Sequence, residues 1–170
     1  MTPYVVLIVA VALERVLLEG GRPALVLDGD NLRHGLNADL GLSPQDRAEN
    51  VRRVGEGAKL FAGVGWVAIV PVISPYAADR DLVRASHVAG GLAFSEVYVD
   101  TALEVCQQRD PKGLYAKAIA GEITGMTGMD APYEAPSAPE LHVDGTASLE
   151  TLVASVLGLI GSSSSGGRAK

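Results

Sequence analysis

The stretch Tyr4–Gly21, YVVLIVAVALERVLLEGG, decides how the chain is organised. Tyr4 to Val9 is an apolar, β-branched run of strand length, and Val11 to Glu19 spaces its apolar residues as a helix does before stopping at Gly20 and Gly21. A strand passing at once into a helix opens a βαβ unit. The alternation then recurs. Strand-like runs fall at Ala24–Leu27, Trp66–Val72, Glu96–Val99 and Leu141–Val143, and helical patterns at Pro44–Val64, Asp79–Ala89, Ala102–Gln108 and Leu149–Ile160. Unbroken Val/Ile/Leu strands between helices predict a parallel sheet covered on both faces, a doubly wound α/β fold. Gly20, Gly21, Gly63 and Gly65 stand where helices should end.

A chain of 170 residues, 48% of them hydrophobic, fits one core and one domain, placed at residues 1–160. A net charge of −6 argues against a nucleic-acid surface, which needs a clustered positive field, but leaves room for a small acidic metabolite held by a few arginines. The single cysteine, Cys106, cannot form an internal disulfide and reads as a buried, reduced thiol. The first apolar run is broken by Glu14 and Arg15, short of the roughly 20 residues that span a bilayer, and no basic stretch precedes it. A cytoplasmic protein without membrane or nucleic-acid partners is expected.

Lys112–Pro139 starts helical and then becomes rich in Gly, Pro and Thr without periodicity, which predicts a lid, about residues 112–139. The low-complexity tail Gly161–Lys170 is expected to be disordered.

The sharpest chemical signal is LVLDGDNLRHGLNADLGLSPQDRAENVRR, residues 25–53. Ligands of parallel α/β sheets bind beyond the carboxyl ends of strands, where Asp28-Gly29-Asp30 falls. Two carboxylates one residue apart can share the placing of Mg²⁺ and the acceptance of a proton from an attacking hydroxyl. Asp-Gly-Asp-Asn would equally serve as an Asx turn with a helix N-cap. Arg33, Arg47, Arg52 and Arg53 follow, and a guanidinium fork suits phosphate or sulfate oxygens. Arg52 and Arg53 read more simply as a solvated helix face, whereas Arg47 and Asn50 share one face three residues apart.

These stretches, together with VISPYAADRDLVR, EVYVDTALEVCQQRDPKGLY and AGEITGMTGMDAPYEAP, resemble the adenylylsulfate (APS) kinases, in order, over about residues 13 to 144. The family uses ATP, with Mg²⁺, to phosphorylate the 3′-hydroxyl of APS, making PAPS for sulfate assimilation. The resemblance implies a P-loop-kinase-like doubly wound parallel sheet, a small-molecule substrate and a homodimer. Carried over by position, Asp28 and Asp30 look like the acidic pair at the reacting hydroxyl, with Asn31 and Leu32 beside them on the substrate. Arg33, Arg47 and Asn50 resemble contacts to the APS phosphosulfate and ribose. Ile73 and Ser74 resemble a pocket wall, and Ser74 matches a serine proposed in the family as a phosphorylated intermediate, a step that in-line transfer does not need. Lys112 resembles the lysine at the lid base. Leu42, Gly125 and Met126 fall at the adenine site, with Leu42 and Met126 standing where the family commonly has phenylalanines. Stacking on an aromatic is worth about 1–3 kcal/mol per base, so weakened APS binding is expected. No metal-ligating residue is assigned.

The family places G-x-x-x-x-G-K-[ST] between first strand and first helix, where amides and lysine hold ATP phosphates and the hydroxyl binds Mg²⁺. Here VVLI runs directly into VAVALERVLLEGG, as if about ten residues were missing between Ile8 and Val9, and no Gly-Lys-Ser or Gly-Lys-Thr occurs elsewhere. A βα corner normally takes two to six residues, often with Ser, Thr or Asp as N-cap. With only Val, Ile and Ala available, the chain is expected to surrender part of the strand or of the first helical turn. ATP-dependent turnover is accordingly expected to be lost or crippled, with a non-catalytic APS- or PAPS-binding module as the alternative.

Overall fold

The computed structural model describes residues 3–110 and 112–164. In chain order the elements are α1 (Pro3–Glu19), β1 (Ala24–Val26), α2 (Gly29–Arg33), α3 (Pro44–Gly63), β2 (Val67–Ile69), α4 (Ala77–Ala89), β3 (Val97–Asp100), α5 (Leu103–Arg109), α6 (Leu114–Ile119), β4 (Leu141–Asp144) and α7 (Leu149–Ser164).

The expected strand Tyr4–Val9 is corrected: it is the first half of α1, a single helix of 17 residues. The corner gives up the whole strand rather than a part of it. A short apolar run is ambiguous between strand and helix, and without a turn residue the backbone satisfies its amides most simply by continuing the i→i−4 ladder. Tertiary packing supports that choice. Val9, Leu13 and Leu17, one stripe at helical spacing, are buried at 8%, 3% and 5% exposure.

The α/β architecture with parallel strands is present, but its sheet is in two pieces. β1 pairs with β2, Ala24 opposite Val67, and β3 pairs with β4, Val97 opposite Leu141, each pair parallel. Two-stranded sheets are marginal alone and need a helix against them. Helix α1 lies against β1 and helix α7 against β4. The buried stripe of α1 packs with Ala24 of β1 and with Leu152, Val153 and Val156 of α7, while Val67, Ile69, Val97, Leu141 and Val143 close around that cluster from β2, β3 and β4. Glu14, an acid within this apolar helix, accepts the Val26 N–H at 2.6 Å and so satisfies an outward amide of β1.

β2 stops at Ile69, short of the expected Val72, because Pro71 has no amide to offer a ladder. Of the four helix-ending glycines, Gly21 (φ 73°) and Gly65 (φ 85°) take the left-handed backbone that turns the chain toward the next strand. At Gly55 the reason is space: a Cβ would stand 2.7 Å from Val83 Cγ2, so glycine permits α3 to lie close on α4.

The tail expectation is corrected in part. Gly161–Ser164 continue α7, since an established helix gains a hydrogen bond for each residue it adds, and residues 165–170 lie outside the described residues. Cys106 is fully buried, as expected. Among the described residues no helix is long and apolar enough to cross a membrane.

Candidate functional site

The site grows from the ends of β1 and β2. The chain leaves β1 at Val26, and Asp28 then caps α2, its carboxylate accepting from the amides of Asp30 and Asn31 at 3.3 Å each. The capping alternative is thus realised, and both oxygens of Asp28 are engaged. Gly29 keeps this turn close to the segment after β2: a Cβ on it would meet Val72 Cγ1 at 3.2 Å. Ile73 and Ser74 follow directly. Ser74 is the one non-glycine residue among those described whose φ lies in the left-handed region, at 42°, and its carbonyl is held by Arg80 Nη1 at 2.7 Å. Strained backbone of this kind persists only where its surroundings enforce it. Here they do: Arg80 Nη2 also donates to the Glu134 carbonyl at 2.7 Å, and the Glu134 N–H donates to Pro75 O at 2.8 Å.

Asp30 stands free of the cap and pairs with Lys112, Nζ to Oδ2 at 2.7 Å, linking the turn after β1 to the base of the predicted lid. The Asp30 carboxylate, with Asp28 adding a weaker charge, raises the Lys112 pKa above its ordinary value. Both side chains remain more than half exposed, so the pair is a positioning contact of little energy.

Arg47 binds the lid proper. Its Nε donates to Leu42 O at 2.9 Å, Nη2 to Gly125 O at 2.5 Å and Nη1 to Thr127 Oγ1 at 2.6 Å. One guanidinium therefore brings Leu42 and the Gly125–Met126 step, 83 positions apart in sequence, to the same face. Asp130 shapes that step from the other side, accepting the amides of Gly125 and Met126 at 2.6 Å each. The Gly125 and Met126 amides hold its carboxyl below the usual carboxylate range. The lid segment is thus not the unsupported flap that its composition suggests. It opens with α6 and is tied down by Arg47, Asp130, Arg80 and Glu134.

Arg33 spends Nη1 on the carbonyls of Leu40 and Gly41, at 3.1 and 3.0 Å, shaping the loop between α2 and α3. Asn31 is exposed and Leu32 half-buried on α2. Asn50 is buried on α3, where its Oδ1 accepts from Asn37 Nδ2 at 3.0 Å. Arg53 is more than a solvated face: it grips Asp39 with two bonds of 2.7 and 2.9 Å and reaches Glu49 at 2.8 Å. Arg52 and Arg53 together hold the Glu49 pKa down at about 2. Sequence reasoning missed Asn37, Asp39, Thr127, Asp130 and Glu134. Each acts through a partner many positions away or through a local loop shape, and spacing carries no sign of either.

An open cleft of about 420 Å³ lies within the lid segment, lined by Ala118, Ile123, Thr124, Met129 and Asp130, with Leu103 of α5 against it. It contains none of the expected substrate residues. Among the described residues no three His, Cys, Asp or Glu side chains gather as metal ligands. α1 runs unbroken where a phosphate-holding loop would stand, and the sequence holds no Gly-Lys-Ser or Gly-Lys-Thr, so the residues present do not fit a MgATP site of the Walker type.

Residues 7–144 match the adenylylsulphate kinase family. The chain is 54% identical over 156 residues to the bifunctional enzyme CysN/CysC of Mycobacterium tuberculosis, an alignment covering 92% of this chain and 25% of that protein. It is 56% identical over 135 residues to the adenylyl-sulfate kinase of Saccharomyces cerevisiae, covering 79% of this chain and 67% of that one. It therefore spans a quarter of the bifunctional relative's length and about two thirds of the yeast enzyme's. Among solved structures, the M. tuberculosis APS kinase CysC in complex with AMPPNP and APS superposes with a TM-score of 0.87 at 53% identity, covering 89% of this chain and 88% of that one. The hexameric APS kinase from Thiobacillus denitrificans superposes with a TM-score of 0.64 at 32% identity, over 88% of this chain and 24% of that one.

Proposed function

Because the chain belongs to the adenylylsulphate kinase family, we propose that it binds APS or PAPS on the face formed by Asp30, Arg33, Arg47, Asn50 and Lys112. We propose further that ATP-dependent transfer to the APS 3′-hydroxyl is lost or severely reduced. The binding half draws support from the site's chemistry. An anionic phosphosulfate calls for guanidinium and ammonium donors, and the adenine would lie by Leu42 and Met126, which Arg47 joins through Leu42 O and Gly125 O. Asp28 and Asp30 stand nearest the reacting hydroxyl on this reading, with Ile73 and Ser74 forming the wall.

One observation carries the catalytic half: α1 runs unbroken from Pro3 to Glu19 through the positions where a strand, a phosphate-holding loop and a helix would follow one another. Phosphoryl transfer is almost wholly positioning and electrostatic stabilisation. Interior helical amides are consumed by the i→i−4 ladder and cannot also point at a phosphate. Removing a single preorganised donor from such a site costs about 2.7–4 kcal/mol. Here several amides, a lysine and a metal-binding hydroxyl are missing together, which slows turnover by many powers of ten. On this reading Lys112 and Arg47 orient the anion.

A second reading, an active kinase, is favoured by the close superposition on a relative that holds AMPPNP with APS. Calorimetry with APS, PAPS and MgATP in separate titrations decides between them. Heat with APS or PAPS and none with millimolar MgATP supports the proposal. A coupled assay showing turnover of order one per second overturns the catalytic half, and silence toward both APS and PAPS overturns the binding half.

A further inference from the structure

We propose that Asn37 is a positioning residue for the anion site: its buried carboxamide fixes Asn50 so that the Asn50 Nδ2, not its Oδ1, is offered to the ligand. This role rests on the APS reading given above.

Asn37 lies in the loop between α2 and α3 and is completely buried. Its backbone is held locally, its N–H donating to Leu32 O at 2.8 Å and its carbonyl accepting from Leu40 N at 3.1 Å. Its side chain makes one bond, Nδ2 to Asn50 Oδ1 at 3.0 Å, and its own Oδ1 is buried without a partner. An orphaned buried amide oxygen is a standing cost to stability, and a leucine of similar volume would fill the space without it. A merely structural loop staple would be redundant. Arg53 already clamps the loop through Asp39 and Leu36 O, and Arg33 does so through Leu40 O and Gly41 O.

What the bond does is set the polarity of Asn50. Asn50 follows Arg47 by three residues on α3, on the same helical side. With Oδ1 occupied by Asn37, Nδ2 is the half of the amide that has no protein partner among the described residues. A carboxamide turned by 180° would present a carbonyl oxygen instead, which repels phosphate and sulfate oxygens. Asn37 thereby selects the donor face, and it touches no ligand itself.

The test is a double-mutant cycle in APS affinity by calorimetry, using Asn37→Leu, Asn50→Ala and the pair, with melting temperatures recorded alongside. The expected result is that Asn37→Leu weakens APS binding roughly tenfold or more, as loss of a hydrogen bond to a charged group does. The melting temperature should stay level or rise, and the double variant should bind no more weakly than the weaker single variant. Should Asn37→Leu fail to fold, Asn37→Ala enters the same cycle with the same outcomes. Wild-type affinity in Asn37→Leu, or losses that multiply in the pair, overturns the role. Absence of APS binding by the wild-type chain overturns the site reading, and the role with it.

Discussion

Replacing Arg47 by alanine should open the lid without disturbing the core. The wild-type guanidinium makes three bonds, to Leu42 O, Gly125 O and Thr127 Oγ1, of which the first and second are exposed and the third is partly buried. The Leu42 bond is local to the approach to α3, so closure rests on the two bonds that reach the lid: about 0.5 kcal/mol for the exposed Gly125 bond and about 1 kcal/mol for the Thr127 bond give about 1.5 kcal/mol. That is a change of about 12-fold in the local opening equilibrium. Native-state amide exchange reads it directly. The Gly125 and Met126 amides are shielded by Asp130, and the Gly128 amide donates to Ala131 O at 2.9 Å, so all three should exchange about 12-fold faster in Arg47→Ala. Amides of α7 should keep their rates. Arg47→Lys keeps the charge but loses the fork and should fall between the two. Unchanged exchange at Gly125 and Met126, or an equal rise throughout the core, would refute the assignment of Arg47 as the strap that holds the lid.

The helical reading of the N-terminal stretch predicts a contrast within α1. Leu13→Ala, at a site 3% exposed, should cost about 2–5 kcal/mol and lower the melting temperature by roughly 5–15 °C, whereas Leu18→Ala, at 52% exposure, should stay within about 0.5 kcal/mol. Equal effects in thermal melts would contradict the placement of that face. Acid should destabilise the fold. Glu49, Asp39, Asp130, Glu140 and Asp144 all have lowered pKa values, so the stability they contribute is present above the ordinary carboxylate range and drains away as the pH falls through their folded-state values. Asp79, raised first by burial and then by Glu134, works in the opposite direction. Melting temperatures should be level above about pH 5 and decline below about pH 4, less steeply in 1 M salt, and a flat profile to about pH 3 would count against these pairings.

Much of the architecture was legible because periodicity reports burial. α3, α4 and the four strands lie close to where the apolar spacing puts them, with ends differing by a few residues. Tyr4–Val9 was misread for a physical reason: β-branched residues favour strands only when an extended partner and a turn are available, and this chain supplies no turn. The short α2 escaped notice because five residues carry no period, though Asp28 as its cap was foreseen as one of two alternatives. The Asp-Gly-Asp turn and Arg47 stood out because charge is conspicuous in an apolar, acidic chain, and Lys112 only through the family resemblance. What each one grips was invisible: Thr127 is 80 positions from Arg47, and Asp30 is 82 from Lys112.

The shared core of α1 and α7 has a consequence for synthesis. Val9, Leu13 and Leu17 are covered by Leu152, Val153 and Val156, which the ribosome makes more than 130 positions later. At ordinary elongation rates the greasy stripe of the first helix waits on the order of ten seconds for its cover. During that interval a nascent chain offers a ready ligand for any holdase near the exit tunnel, and its yield in cells depends on how faithfully that stripe is shielded until α7 emerges.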